Sequence, residues 1–249
     1  MRNLYIFILL VIVSSCKPES KTLTAQQIID KSIVTSGADK VANSVIEFDF
    51  RDIKYLADRK SNGVYRLFRG FNDENLGMVS DGVLNNGFER HVNGHLFKVH
   101  DSMAVKYTSS VNSVHYFSVL PYGLNDAAVK KKLLEDVIIN GKSYYKVQIS
   151  FSEDGGGEDF EDVFIYWIGK EDFKMDFLAY SYLTDDGGKR FREATNERVV
   201  NGIRFLDYNN YKPKNALTKL ENLDKAFENN ELEKLSEINL ENVKVDVSN

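Results

Sequence analysis

Cysteine occurs once in the 249 residues, at position 16, so no disulfide can form within the chain. Proline is scarce, with 3 residues against 16 Phe and 13 Tyr, a balance that favours strands over helical bundles. There is no cationic excess: the formal net charge is −5, which excludes the basic stripe of a nucleic-acid binder. No apolar run is long enough to cross a bilayer comfortably as a helix. The phosphate-cradling G-x-G-x-x-G and P-loop patterns are missing after every strand-like segment, and no G-x-S-x-G elbow occurs. Strands follow strands rather than alternating with helices, which argues against a Schiff-base lysine enzyme on a βα barrel. No fixed-period repeat, low-complexity tract or long linker breaks the chain.

What is present begins at the N-terminus. Arg2 precedes an apolar run from Leu4 to Val13, the pattern of a secretory signal. Val13-Ser14-Ser15-Cys16 follows, an aliphatic residue and two small residues before cysteine, and looks like a bacterial lipobox. The alternative is a plain signal peptide with an incidental cysteine. A lone free thiol in an oxidising compartment would be a liability, which favours lipidation of Cys16. Residues 1–15 are therefore expected to be a lipoprotein signal peptide and 16–23 a lipidated polar tether. Residues 24–249 are expected to form one domain. Removing Arg2 lowers the net charge from −5 to about −6. The protein is expected to be anchored to the outer membrane of a cell envelope and not to span it. Lys17 and Glu19 leave open whether it faces the periplasm or the surface.

Thr24 and Gln27 have capping-box spacing, Ile28, Ile29 and Ile33 lie close on one helical face, and Gly37 can end that helix. Beyond it, Asn-Gly at 62–63, 86–87, 93–94, 140–141 and 201–202 and Asp-Gly at 81–82, 154–155 and 186–187 are the dipeptides of type I′ turns. The runs between them, such as "SVIEFDFRDIKYL", "SYYKVQISF" and "DVFIYWI", are rich in aromatic and β-branched residues. They predict about nine to eleven antiparallel strands in meander order. Residues 109–126 read as a loop with a short helix before Pro121. A second helix is expected at 216–228, where Leu217, Leu220, Leu223 and Phe227 recur at helical spacing, and a last strand at 238–247.

Three of the four histidines crowd into "FERHVNGHLFKVH", residues 88–100. A two-residue Asn93-Gly94 loop pairs Val92 with His95, His91 with Leu96 and Arg90 with Phe97. It puts Phe88, Arg90, Val92, His95, Phe97 and Val99 on one, mostly apolar face. His91 and His95 then point to opposite faces, and His100 lies about 13 Å beyond Leu96 by strand rise. The stretch reads as a hairpin and not as a metal site.

Two charged clusters are candidates for binding. "SEDGGGEDFED", 152–162, could offer Ca²⁺ the carboxylates of Asp154, Glu158 and Asp159, although EF-hand spacing is absent. A solvated acidic hairpin loop, with glycines kept for tight backbone geometry, is the simpler reading. Arg190, Arg192 and Arg198 share one strand face by parity and could meet an anion, or could face solvent beside neighbouring acids. No catalytic residue and no cofactor are assigned.

Three segments carry a resemblance: "SVNSVHYFSVLPYGLND", "YYKVQISFSEDGGGEDFEDVFIYWI" and "RFREATNERVVNGIRFLDYNNY". They resemble a family of uncharacterised Gram-negative envelope lipoproteins, a domain of unknown function. The element order is similar to the lipoprotein-carrier (LolA/LolB-like) fold. That resemblance implies an α+β fold, a large curved antiparallel half-barrel packed on a few helices around an apolar cavity. It also implies a binding or trafficking role. The expected function is non-enzymatic binding of an apolar ligand, a lipid or acyl chain, by a monomer held at the membrane. The alternatives are a scaffold that docks envelope proteins without a cavity, and a hydrolase using acidic residues.

Overall fold

A computed structural model describes residues 22–60, 66–157, 160–183 and 187–247. Cys16, the Asn62-Gly63 pair and the loop acids Glu158 and Asp159 lie outside these residues.

Helix α1 (Ala25–Thr35) forms where the capping box predicts it. The Gln27 amide donates to Thr24 Oγ1 at 3.2 Å, and the Thr24 amide donates to Gln27 Oε1 at 2.9 Å. Past its other end Gly37 takes φ +62°, and a Cβ there would lie 1.8 Å from the carbonyl oxygen of Gly202. Only glycine satisfies both the left-handed backbone and that close approach.

The strands then run β1 (Val45–Phe50), β2 (Ile53–Asp58), β3 (Arg66–Asp73), β4 (Gly77–Leu84), β5 (Gly87–Val92) and β6 (His95–Phe97). Helix α2 (Asp101–Ser118) precedes β7 (Val129–Leu133), β8 (Val137–Ile139), β9 (Lys142–Phe151), β10 (Val163–Gly169), β11 (Met175–Tyr182), β12 (Gly188–Val200) and β13 (Ile203–Pro213). Helix α3 (Leu223–Glu228), β14 (Leu232–Ile238) and β15 (Glu241–Asp246) complete the order.

Pairing is antiparallel and follows the expected meander, but it builds two open sheets. One runs β15-β1-β2-β3-β4-β5-β6; the other runs β14-β13-β12-β11-β10-β9-β7, with β8 also on β9. Fifteen strands stand among the described residues where nine to eleven are expected, since short strands such as the three-residue β8 carry little pattern. The final strand expected at 238–247 is present as β15, and β14 precedes it, ending at Ile238. Leu240, buried and donating its amide to Asp207 Oδ1 at 2.9 Å, marks the step where the chain leaves β14 in one sheet for β15 in the other.

The second sheet is covered on both faces, and side-chain alternation along each strand sorts its residues. On the inner face Val147, Ile149, Phe164, Tyr166, Leu178, Leu206 and Tyr208 pack against Ile28 and Ile29 of α1 and against Leu120 and Leu124. On the outer face Tyr144, Ile165, Trp167, Phe177 and Phe191 pack against Leu223 and Ala226 of α3. Phe48, Tyr55, Val119, Phe205 and Val245 join the two sheets.

Three expectations change. The helix expected at 216–228 is helical only from Leu223, after a 3₁₀ turn, and Leu217 is 87% exposed. The Asn215 side chain accepts the Leu217 amide at 3.0 Å, a local turn that competes with helix. Residues 109–126 are expected to be a loop with a short helix before Pro121; the helix before Pro121 is instead the 18-residue α2, which begins at Asp101 and takes in 109–118. Asp81-Gly82 is no turn but the middle of β4, paired on both sides. The Asn-Gly pairs at 93–94, 140–141 and 201–202 do form tight turns, with positive φ at both residues.

Candidate functional site

Helix α2 has an unusual set of partners. Toward the first sheet it meets charge: Asp81 on β4 is wholly buried between Arg69 on β3 and Arg90 on β5. Arg69 Nη2 lies 2.8 Å from Asp81 Oδ2, and Arg90 Nε donates to Asp81 Oδ1 at 2.6 Å. The helix caps this triad with the Tyr107 ring, 3.8 Å from the Arg90 guanidinium, and with Ser110 Oγ, which accepts from Arg69 Nη1 at 2.6 Å. The last turns meet aromatic surface on the second sheet. Tyr116 Oη and Tyr166 Oη are hydrogen-bonded at 2.9 Å, and Phe117 lies 5.4 Å from the Tyr180 ring. Burial raises the phenol pKa values of Tyr116 and Tyr166 and pushes Tyr208 up to about 12, so all three stay neutral.

Farther along the inner face the helix and sheet do not close on each other. A cavity of about 660 Å³ remains between them. Phe117, Phe151, Phe164, Tyr180, Leu206 and Ile238 give it apolar walls, and Phe164 and Tyr180 stack at 5.5 Å. Its polar lining includes Arg190, Arg192, Asn210, Ser236, Asp126 and Asp162. Asp126 follows α2; its partial burial raises the carboxyl pKa, and the nearby Lys131 opposes the rise.

Arg192 is 8% exposed and stacks its guanidinium 3.9 Å from the Phe117 ring centre. Its Nη2 donates to Tyr180 Oη at 3.1 Å, while its buried Nε has no partner. Asn210 stands directly across from it on β13. Asn210 Nδ2 donates to Ser236 Oγ at 3.2 Å, and its buried Oδ1 has no partner. Arg190, two residues before Arg192 on the same face, rests 5.1 Å from the Tyr182 ring.

The row of three arginines is therefore a pair. A bulge between Thr195 and Arg198 inserts one residue and turns Arg198 to the opposite face. There it pairs with Asp207 Oδ1 at 3.0 Å. Parity alone cannot register a bulge, which is why the sequence misplaced Arg198.

The hairpin register holds: Val92 pairs with His95, His91 with Leu96 and Arg90 with Phe97. Its supposed apolar side is not all buried, since β6 is an edge strand and Phe97 is 44% exposed. His91 and His95 do not converge, and His100 caps α2, its Nδ1 accepting the Ser102 amide at 3.4 Å. The fourth histidine, not singled out by sequence, is the buried one. His115 on α2 lies 5.8 Å from the Phe48 ring and 5.4 Å from that of Tyr55. Its Nε2 donates to the Phe68 carbonyl at 3.0 Å.

Among the described residues no group of three His, Cys, Asp or Glu side chains could hold a metal ion. Of the proposed calcium ligands only Asp154 is described, and it is exposed. The neighbouring glycines have a geometric use: Gly155, Gly156 and Gly157 line the cavity, and a Cβ on Gly156 would lie 2.1 Å from the Ser152 carbonyl oxygen. No described helix is long and apolar enough to cross a membrane.

The sequence profile of a family of unknown function (DUF6503) matches residues 2–240, and the chain belongs to that family. No curated protein matches it. A DUF1329 family protein from Desulfovibrio piger superposes with a TM-score of 0.53 at 9% identity, covering 91% of this chain and 95% of that one. A LolA superfamily protein from Nitrosomonas europaea gives a TM-score of 0.45 at 11% identity, over 90% and 92% of the two chains. The lipoprotein LppX from Mycobacterium tuberculosis gives 0.29 at 11% identity, over 63% and 88%. At these identities the Desulfovibrio protein shares the fold and nothing more is carried from it.

Proposed function

We propose that this member of the DUF6503 family is an envelope lipoprotein, anchored through lipidated Cys16, whose cavity binds a lipid or acyl chain without catalysing a reaction. The observation that carries this reading is the cavity of about 660 Å³ between α2 and the inner face of the second sheet. Its size falls within the range of roughly 300–1,000 Å³ typical of small-molecule sites. Its walls combine aromatic and aliphatic side chains with polar ones, Thr108, Ser109, Asn112 and Ser113 from α2 and Arg190, Arg192 and Asn210 from the sheet, a mixture that suits an amphiphile. A scaffold without a ligand would gain stability by filling such a space, because unfilled apolar volume forfeits packing contacts.

The test is to purify the full chain from membranes, extract it with organic solvent and identify bound lipid by mass spectrometry. Wild type should carry about one lipid per chain. Leu206→Trp, which fills the cavity from its floor, should carry far less. Wild type free of extractable lipid beyond bulk membrane composition would overturn the reading.

A further inference from the structure

The cavity has a cationic corner that lacks its counter-ion. Four other buried cations of this protein meet carboxylates: Arg69 and Arg90 share Asp81, Lys146 pairs with Asp224, and Arg204 pairs with Asp176 and Glu197. Arg192 is as buried as these, yet no described carboxylate pairs with it. A buried guanidinium without an opposite charge is costly unless something supplies that charge. Phe117 covers the plane of the guanidinium and Tyr180 Oη takes Nη2, so the Nε edge is left for an acceptor. That edge is the one that binds carboxylate and phosphate oxygens. Asn210, directly opposite, adds a buried carbonyl oxygen that wants a donor, such as a head-group hydroxyl. Arg190 lies about 7 Å along the strand and adds positive potential. Of the two acids that also line the cavity, Asp126 feels the charge of Lys131, and Asp162 has an interaction of its own; neither pairs with Arg192.

The geometry points to a specific ligand class: a single-chain amphiphile whose anionic head group, carboxylate or phosphate monoester, binds Arg192 and Asn210 while its tail fills the aromatic part of the cavity. This rests on the binding function proposed above and names its substrate class.

The test uses the full chain in nanodiscs of zwitterionic lipid. The probes are a diazirine-bearing fatty acid, the matching lysophosphatidate and the uncharged fatty alcohol of the same length. Crosslinks are mapped by peptide mass spectrometry. Both anionic probes should label cavity peptides at concentrations about tenfold below the alcohol, the factor expected for a charged hydrogen-bonded pair. Arg192→Gln should abolish that preference, so that acids and alcohol label the variant equally; a preference kept by the variant would overturn the assignment of the head group to Arg192. Equal labelling of wild type by acids and alcohol would overturn the head-group assignment while leaving an apolar cavity in place. This comparison requires no variant to fold. Labelling by none of the probes would overturn the cavity function itself. Displacement of the acid probe by equimolar acetate or inorganic phosphate would overturn the amphiphile class in favour of a free-anion site.

Discussion

Two buried polar residues show how environment sets the behaviour of a side chain. Burial lowers the His115 pKa to about 3, with the charge of Arg59 adding to the fall and the Phe68 carbonyl opposing it. The imidazole is thus neutral in the fold, whereas an unfolded histidine titrates near 6.5. Between those values the unfolded chain binds the extra proton, so stability rises with pH there. This contribution is complete above about pH 6.5 and is lost, at about 1.4 kcal/mol per unit, as pH falls toward 3. Replacing His115 with Leu should flatten the acid limb of a urea-melt series. An NMR titration giving His115 a pKa near 6.5 would show that it is not buried in this way. Asp81 presents the opposite case, a charge that is paired twice. Asp81→Ala should cost about 3–5 kcal/mol by denaturant unfolding, because two guanidinium groups are left buried without an opposite charge. Adding Arg69→Met and Arg90→Met should recover much of the loss; no recovery would mean that the charge is not the cause.

At the scale of elements, the clearest sequence signals were local ones. Thr24 and Gln27 fixed the start of α1, Gly37 fixed its end, and Asn93-Gly94 fixed a hairpin register, since each signal is a backbone geometry imposed by neighbouring residues. The contact of Gly37 with Gly202 ties the end of α1 to the turn between β12 and β13. Gly37→Ala should therefore lower the melting temperature by several degrees, from a positive φ and a backbone clash together. An unchanged melting temperature would contradict that contact. Helix α2 was only partly legible because its face toward the first sheet mixes polar residues with apolar ones such as Val111, which packs on Leu67 and Val83. Tyr107 and Ser110 bind a charge triad, so no apolar stripe marks the helix in sequence. The cavity was foreshadowed by the resemblance and the aromatic content, but not by any local pattern. It arises where helix and sheet diverge, a long-range property, and the bulge that removes Arg198 from its wall is equally invisible to parity. On the other face, Lys146 Nζ meets Asp224 Oδ2 at 2.8 Å and holds α3 down. Lys146→Ala should loosen that helix, seen as faster amide exchange across Leu223–Glu228, whereas Lys146→Met with Asp224→Leu should restore protection.

For the whole molecule, the proposed anchor and the proposed binding cavity make separable demands. Cys16→Ala should abolish palmitate labelling and shift the protein from the membrane fraction, while residues 24–247 keep their ligand. Labelling equal to wild type would refute the lipobox. The sole tryptophan, Trp167, has a further consequence. It is fully buried on the outer face of the second sheet, its Nε1 donating to Asp224 Oδ2 at 3.2 Å, with a whole sheet between it and the cavity. Its emission should be blue-shifted and should respond to the docking of α3, yet stay constant as the cavity fills. Occupancy will be recorded instead by the tyrosines, in near-ultraviolet circular dichroism. On the proposed function, a flat fluorescence titration is therefore what binding should look like from the wrong side of the sheet.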